Sequence, residues 1–199
     1  MTTTFFLVRH AAHDNVGGYL AGRKPGVRLG ADGHAQAVRL GKRMSRETFS
    51  AIIASPRERT QETAQAIARA AGIDTVETDA RLDEIDFGAW SGKTFDELNL
   101  DPRWARWNAE RGSARTPAGE GIADVARRVE ECLAEVRARF GEASVVLVSH
   151  ADVIKTAVCL SLGLKPEQGM LMEVSPASVT VLVQGDWGRK LWQLNETIH

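Results

Sequence analysis

Two arginines and two histidines follow short apolar segments of the sequence. Arg9 and His10 come directly after the first segment, Arg57 is the third residue after the second, and His150 is the second residue after the third. A guanidinium group presents a planar fork of N–H donors that matches phosphate oxygens, and neutral imidazole is a nucleophile near pH 7. Brought together, these four side chains would bind a doubly charged anion, and phosphate is the ligand that fits them.

The three apolar segments are typical of strands that are buried on both faces of a parallel sheet. They span residues 5–8, 51–54 and 145–148. Ligands of open α/β sheets bind outside the carboxyl ends of the strands, so the four polar side chains are expected in one crevice. The helices that follow would add backbone N–H donors for a bound phosphate, including that of Ala151.

Two of these strands are followed by signals for the start of a helix. Ser55 and Glu58 have the spacing of a capping box with Pro56 at the first helical position, and Ser149 and Asp152 repeat that spacing. Apolar periodicity predicts further helices over about 33–46 and 121–140, and further strands over 170–174, 179–183 and 191–194. This alternation predicts an α/β fold, a three-layer α/β/α sandwich around a mostly parallel mixed sheet.

Length and composition are those of a globular protein. The chain has 199 residues, of which 43% are hydrophobic and 26% charged, with a formal net charge of −1. This length predicts one domain over residues 1–199, in which residues 85–120 form a cap-like insertion. The near-neutral charge, and the lack of an apolar stretch of about 20 residues, argue against nucleic acid or a membrane as a partner.

Cysteine usage and the N-terminal sequence predict a cytoplasmic protein. Cys132 and Cys159 form no CxxC pair and fall within helical patterns, as buried free thiols do. The first residues lack the basic region of a signal peptide and are typical of a strand. The strand region near the C-terminus leaves a homodimer open, because an edge strand can pair with a second copy of the chain.

Four motifs resemble those of the histidine phosphatase superfamily, in the branch similar to cofactor-dependent phosphoglycerate mutase. They appear in the family's order and cover about residues 5–160. The motifs are LVRH at 7–10, ASPRERTQETA at 54–64, LDEIDFGAWSG at 82–92 and VSHADVI at 148–154.

The resemblance implies a phosphoglycerate mutase-like fold and a histidine acid phosphatase-type phosphoric monoester hydrolase without metal or cofactor. His10 would attack phosphorus and form a phosphohistidine, while Arg9, Arg57 and His150 hold the phosphate oxygens. Glu84 would protonate the leaving oxygen and then deprotonate water. That role needs a raised pKa, which partial burial of the carboxyl group would provide.

The sequence departs from the family's pattern at several positions near the expected phosphate. Ala11 stands where the family has glycine, and Ala151 with Asp152 replaces a pair of glycines. The carboxylate of Asp152 would repel a phosphate, whereas the N–H of Ala151 still binds one. Asn15 and Gly22 are further candidates for phosphate binding, although the segment before Asn15 is one residue shorter than in the family.

Three other functions are open at this point. One is a phosphoglycerate-type phosphomutase, although the modest length of 85–120 favours a phosphatase for a small phosphorylated metabolite. Another is a non-catalytic phosphate-binding protein, but such a protein would need neither a nucleophile nor an acid. The third is a metal-dependent phosphohydrolase, although the spacing of its candidate ligands matches no compact metal site. Those candidates are His10, His13, Asp14, His34, His150 and Asp152.

Overall fold

A single six-stranded sheet runs through the computed structural model, which describes residues 1–199. The strands are β1 (Thr2–Arg9), β2 (Ala51–Ala54), β3 (Glu77–Thr78), β4 (Ser144–Ser149), β5 (Val179–Gly185) and β6 (Gly188–Glu196). They lie in the order β3-β2-β4-β1-β5-β6. The first four strands of this order are parallel to one another, and β5 is antiparallel to both of its neighbours, β1 and β6. The predicted mostly parallel mixed sheet is confirmed.

Six α-helices connect and cover the strands. They are α1 (Ala31–Met44), α2 (Glu58–Ala71), α3 (Phe95–Asn99), α4 (Pro102–Ala109), α5 (Ile122–Phe140) and α6 (Ala151–Leu162). Short 3-10 helices form at Ala80–Leu82, Gly88–Trp90 and Pro166–Leu171. The helix α6 ends where Gly163 adopts the left-handed conformation that glycine allows without strain. No helix combines the length and the apolar character that a membrane crossing requires.

The alternation of side chains along β1 divides the core between the two faces of the sheet. Phe5 and Leu7 pack with the buried side chains of α5 and α6. Phe6 and Val8 pack on the other face with those of α1 and α2. Burying both faces of the central strands requires helices on both sides, so the predicted α/β/α layers are confirmed.

The strand predicted over 170–174 is wrong. The structure has a 3-10 helix over Pro166–Leu171 instead, which begins at Pro166. This helix packs against α6. Met170 and Leu171 are exposed. An apolar run becomes a strand only where a neighbouring strand offers backbone partners, and the sheet reaches its edge at β6 without this segment.

The two capping boxes predicted at the starts of α2 and α6 are also wrong. The capping positions are occupied by Arg57 and His150, and neither helix has a side-chain cap. The hydroxyl of Ser55 lies 2.9 Å from Nε2 of His150, and the hydroxyl of Ser149 donates to the carbonyl of Leu82 at 2.6 Å. Both serines therefore hold the crevice together instead of starting a helix.

Residues 85–120 leave the sheet as loops and short helices, and aromatic side chains form their centre. Trp90 and Trp104 meet edge to face at 5.3 Å between ring centroids, and Phe87 and Trp107 do so at 6.3 Å. These rings belong to the core on the α5 face of the sheet. Trp104 and Trp107 thus pack the inside of the insertion.

Candidate active site

Two histidines meet at the carboxyl ends of neighbouring strands. His10 follows β1 and His150 follows β4, and these strands pair in parallel register up to Arg9 and Ser149. The centroids of the two imidazole rings are 5.2 Å apart. Both side chains are buried. The topology thus brings together residues that are 140 positions apart in the chain.

The guanidinium of Arg59 lies between the two imidazole rings. Its Nε donates to Nε2 of His10 at 3.2 Å, and its Nη2 donates to Nδ1 of His150 at 3.1 Å. Nη2 also donates to the carbonyl of Gly22 at 2.8 Å, while Nη1 is buried and has no partner. Arg59 is 1% exposed, so its charge is directed entirely into the crevice.

Arg59 determines the tautomer of both histidines, because a guanidinium only donates hydrogen bonds. Nε2 of His10 must carry a lone pair, and the proton on Nδ1 is donated to the carbonyl of Ala11 at 2.8 Å. In His150 the lone pair is on Nδ1, and the Nε2 proton is donated to Oγ of Ser55. The Ser55 hydroxyl then donates to Oδ1 of Asp83 at 3.2 Å.

Both imidazoles are held in the neutral form. Burial lowers the pKa of His10 well below its usual value, and the positive charges of Arg59 and Arg9 lower it further. Burial is also the first cause of the low pKa of His150, followed by the charge of Arg59. A nucleophile must keep its lone pair, and His10 keeps it on Nε2 at neutral pH.

Arg9 supplies a second, partly buried cation at the end of β1. Its Nη1 donates to the carbonyl of Val174 at 2.6 Å, and its Nε is buried without a partner. Burial lowers the pKa of Arg9, and the carboxylates of Glu84, Glu173 and Asp152 act in the opposite direction. The unpartnered N–H is available to an anionic ligand.

Arg57, which was predicted to hold the phosphate, contacts neither histidine. Its Nη2 lies 3.1 Å from Oδ2 of Asp83, and its Nη1 donates to the carbonyl of Arg23 at 2.9 Å. Arg57 has extended backbone angles at the start of α2, and Arg59 lies two residues further, on a different side of the helix axis. Arg59 therefore contacts the histidines, and the prediction from sequence missed it.

Glu84 is a buried carboxyl group beside His150. Its Oε2 lies 3.8 Å from Nδ1 of His150, and its Oε1 accepts the backbone N–H of Ile85 at 2.9 Å. Burial, followed by the negative charge of Asp152, raises the pKa of Glu84 to about 7. A group with this pKa can both donate and accept a proton near neutral pH, as an acid/base catalyst must.

The model of the histidine phosphatase superfamily (branch 1) matches residues 5–197. The chain belongs to this superfamily. It is thus a phosphatase, in the class of phosphoric monoester hydrolases.

Three relatives of this phosphatase are informative. It is 34% identical over 197 residues to phosphoserine phosphatase 1 of Hydrogenobacter thermophilus, covering 97% of this chain and 92% of the relative. A mutant phosphoserine phosphatase from Entamoeba histolytica, solved with phosphoserine, is 27% identical with a TM-score of 0.87, covering 98% of both chains. A mycobacterial glucosyl-3-phosphoglycerate phosphatase is 25% identical with a TM-score of 0.89, covering 98% of this chain and 100% of that one.

The loop that carries Glu84 in this histidine phosphatase is anchored by a network of ion pairs. Arg23 donates through Nε to the carbonyl of Glu84 at 2.7 Å and through Nη2 to Glu120 at 3.0 Å. Glu120 also accepts from Nε of Arg128 at 3.0 Å and from the backbone N–H of Asp86 at 3.0 Å. These partners position the catalytic candidate, and no motif pointed to Arg128 or Glu120.

The loop after β1 places a third histidine near the first two. The ring centroid of His13 is 6.2 Å from that of His10, and its Nδ1 donates to the carbonyl of Asp14 at 2.7 Å. Burial, followed by nearby positive charges, lowers the pKa of His13. His13 is thus part of the wall of the crevice, which its loop position in the sequence did not indicate.

Asn15 and Gly22 occupy different surroundings, although both were candidates for phosphate binding. Asn15 is exposed in a turn with a φ of +61°. Gly22 is buried with a φ of +51°, and a Cβ there would lie 2.7 Å from Oγ of Ser91. Gly22 reaches the site through its carbonyl, which accepts from Arg59. Its structural contribution is to hold that arginine.

The two alanines that replace family glycines fit without strain. Ala11 is buried and is not among the residues with a positive φ, so the left-handed shape that would penalise alanine is absent. Its N–H donates to Oγ1 of Thr63 at 3.0 Å. Ala151 is the first residue of α6, where the backbone N–H groups of the first turn have no intrahelical acceptor. That N–H is therefore available beside His150.

The six candidate metal ligands do not form a cluster. No group of three or more histidine, cysteine, aspartate or glutamate side chains is arranged to hold a metal ion. His34 is exposed on α1, and Asp152 pairs with Arg111 at 2.9 Å.

Proposed function

We propose that this protein is a metal-independent phosphomonoesterase that acts on a small phosphorylated metabolite through a phosphohistidine on His10. The observation that carries the proposal is the geometry of Nε2 of His10. This nitrogen is buried, keeps its lone pair and lies 3.2 Å from a guanidinium that has an unused N–H. A nucleophile beside an anion-binding cation is the arrangement that in-line phosphoryl transfer requires.

The first step transfers the phosphoryl group to the enzyme. Phosphate oxygens take over the N–H groups of Arg59 and thereby release the lone pair of His10. Nε2 forms a bond to phosphorus as the bond from phosphorus to the ester oxygen breaks. Glu84 gives its proton to the departing oxygen, so the product leaves as a neutral alcohol.

The second step returns the phosphoryl group to water. Glu84, now a carboxylate, removes a proton from a water molecule as its oxygen attacks phosphorus. The bond between phosphorus and Nε2 of His10 breaks, and inorganic phosphate leaves. Both the nucleophile and the acid are thereby restored to their starting protonation states.

Positive charge and N–H donors surround the phosphoryl oxygens in both steps. Arg59 and Arg9 supply cations with unpartnered N–H groups, and the first turn of α6 adds the backbone N–H of Ala151. His150 lies on the opposite side of Arg59 from His10. These donors act where charge develops in the transition state, which is where they accelerate the reaction most.

A small metabolite is the substrate class that fits the insertion and the relatives. The aromatic core of 85–120 fixes a cap on the side of the sheet where Glu84 lies. The relatives include phosphoserine phosphatases and a glucosyl-3-phosphoglycerate phosphatase, whose substrates carry a carboxylate as well as the phosphate. A phosphorylated compound of that kind is the first to assay.

Hydrolysis of p-nitrophenyl phosphate is expected to continue at an unchanged rate in EDTA. The proposed reaction uses only groups of the protein and water, so removing divalent metal ions removes none of its parts. The measurement is release of p-nitrophenol and of inorganic phosphate, with and without chelator. Loss of activity that Mg²⁺ or Zn²⁺ restores would support the metal-dependent alternative. Thermal stabilisation by phosphate, without hydrolysis of any phosphomonoester, would support the binding protein.

Replacing Glu84 by glutamine is expected to lower kcat/KM for alkyl phosphates by about a hundredfold to a thousandfold, and far less for p-nitrophenyl phosphate. An alkoxide needs a proton to leave, whereas p-nitrophenolate barely does. Because burial raises the pKa of Glu84 to about 7, the wild-type rate for alkyl phosphates should fall as pH rises through 7. That limb should disappear in the variant.

The matched control for this experiment is Glu142→Gln, at an exposed glutamate whose carboxylate lies 3.7 Å from the N-terminal amine of Met1. It should retain both the wild-type rates and the fall in rate above pH 7. Equal losses on alkyl and nitrophenyl substrates in Glu84→Gln would remove Glu84 from the acid role, and the second step would then need another base.

A further inference from the structure

An ion pair that the proposed reaction does not use lies at the first turn of α6. Oδ1 of Asp152 is 2.9 Å from Nη1 of Arg111, and both side chains are largely buried. Asp152 is two residues after His150 in the chain. The guanidinium of Arg111 lies 5.1 Å from the centroid of the Trp107 ring, which holds it in place. The pair is therefore rigid and adjacent to the site.

The position of Asp152 is unfavourable for phosphate binding alone. After burial, its carboxylate is the largest cause of the raised pKa of Glu84, and it also acts on Arg9. Its charge therefore reaches the residues that surround the phosphate. A site that bound only a doubly charged anion would be better without this carboxylate, since like charges repel. A positive group on the substrate would turn the repulsion into attraction.

Arg111 provides the complementary charge and has unused hydrogen-bonding capacity. Its Nη1 is committed to Asp152, but its Nε is buried and has no partner. The other three arginines of the insertion have exposed side chains that pair with nearby carboxylates: Arg103 with Asp101, Arg106 with Glu110 and Arg115 with Asp124. Arg111 is thus the cation of the insertion that faces the first turn of α6. A carboxylate that approached it would find a fixed guanidinium.

We propose that Asp152 and Arg111 select a substrate that carries both charges, an α-amino acid phosphomonoester of the O-phosphoserine type. Its ammonium group binds Asp152, and its carboxylate binds Arg111. The inference rests on the proposed phosphomonoesterase function and adds the substrate class. A phosphate ester with a carboxylate alone leaves Asp152 opposed by two anions, and one with an ammonium alone leaves Arg111 unused.

The test compares three phosphate esters of similar size. L-O-phosphoserine carries both charges, 3-phosphoglycerate carries only the carboxylate, and phosphoethanolamine carries only the ammonium. The wild type is expected to have the highest kcat/KM for phosphoserine. Asp152→Asn should lower the ratio of phosphoserine to 3-phosphoglycerate by about tenfold. Arg111→Met should lower the ratio of phosphoserine to phosphoethanolamine by a similar factor.

Ratios of kcat/KM distinguish selection from a structural role. A variant that is merely misfolded or misaligned loses activity on all three esters together, so its ratios stay at the wild-type values. The matched control is Glu110→Gln, an exposed neighbour of Arg111 whose substitution should leave both ratios unchanged. Asp152→Asn should also shift the alkaline limb of the pH profile to lower pH, because Asp152 raises the pKa of Glu84, in addition to burial.

Each outcome bears on one of the two proposals. Unchanged ratios in both variants, or a wild type that prefers 3-phosphoglycerate or phosphoethanolamine, would overturn the selection of a zwitterion. Hydrolysis of p-nitrophenyl phosphate in the same series would show that the phosphomonoesterase function still stands. A wild type that hydrolyses neither the nitrophenyl ester nor the three probes would overturn the function itself.

Discussion

Replacing Arg59 by alanine is expected to lower kcat/KM for p-nitrophenyl phosphate by about a thousandfold or more. The substitution removes a buried cation that contacts both histidines, and with it the N–H donors that phosphate oxygens would take over. Steady-state kinetics measure the loss. The same variant should raise the pKa that limits the reaction on the acidic side, because the charge of Arg59, after burial, lowers the pKa of His10.

Arg57→Ala is the matched control, since it removes the same side chain two residues away. Arg57 pairs with Asp83 and with the carbonyl of Arg23, so its loss should lower kcat/KM by no more than about tenfold. Arg59→Lys separates charge from shape, because an ammonium cannot bridge both imidazoles as a planar guanidinium does. Similar losses of kcat/KM in Arg57→Ala and Arg59→Ala would indicate that Arg57 also binds the phosphate.

Replacing His10 by alanine is expected to lower turnover by about ten thousandfold or more, because no other group can form the covalent intermediate. Nε2 of His10 carries the lone pair that accepts from Nε of Arg59. Rapid acid-free quenching after mixing with substrate, followed by mass spectrometry, should show one phosphate on His10 in the wild type. The adduct should be stable in base and labile in acid.

His13→Ala is the control for this measurement, because His13 lies 6.2 Å from His10 between ring centroids and also has a lowered pKa due chiefly to burial. It should still form the adduct on His10. A phosphate found on His13 or His150, or an adduct that persists in His10→Ala, would reassign the nucleophile. Transfer of the phosphoryl group from His10 to a second alcohol instead of water would indicate a mutase.

The positions of His10 and His150 could be predicted because two simple rules combine. Continuous apolar runs such as 5–8 and 145–148 form strands buried on both faces, and parallel strands end at the same edge of their sheet. These rules need no knowledge of side-chain contacts. Glu84 was different, because only its motif distinguished it from a loop carboxylate.

The choice between Arg57 and Arg59 shows where the prediction failed. Both arginines follow β2, and the one that faces the crevice depends on the residue at which α2 begins. Ser55 and Pro56 suggested a start two residues too early, because the Ser55 hydroxyl lies 2.9 Å from Nε2 of His150 and reaches only the backbone N–H of Arg57, at 3.4 Å, before the first helical turn. A local capping signal competes with a tertiary hydrogen bond, and the sequence does not show which is formed.

Other parts of the site depended on contacts that no local pattern encodes. The apolar run 170–174 lacked a neighbouring strand and packed beside α6 instead. Arg128 on α5 and Glu120, two residues before that helix, anchor the Glu84 loop although they lie far along the chain from its motif. Sequence patterns do not identify such residues, because their role depends on contacts that form only in the folded protein.

The bridge that Arg59 makes between His10 and His150 affects whether the two imidazoles can bind a metal ion. Two neutral imidazoles with ring centroids 5.2 Å apart are a suitable pair of ligands for zinc or copper. Here the guanidinium occupies both lone pairs, so an incoming metal ion would have to displace a buried cation and remain beside Arg9. The guanidinium therefore competes with metal ions for both imidazole lone pairs.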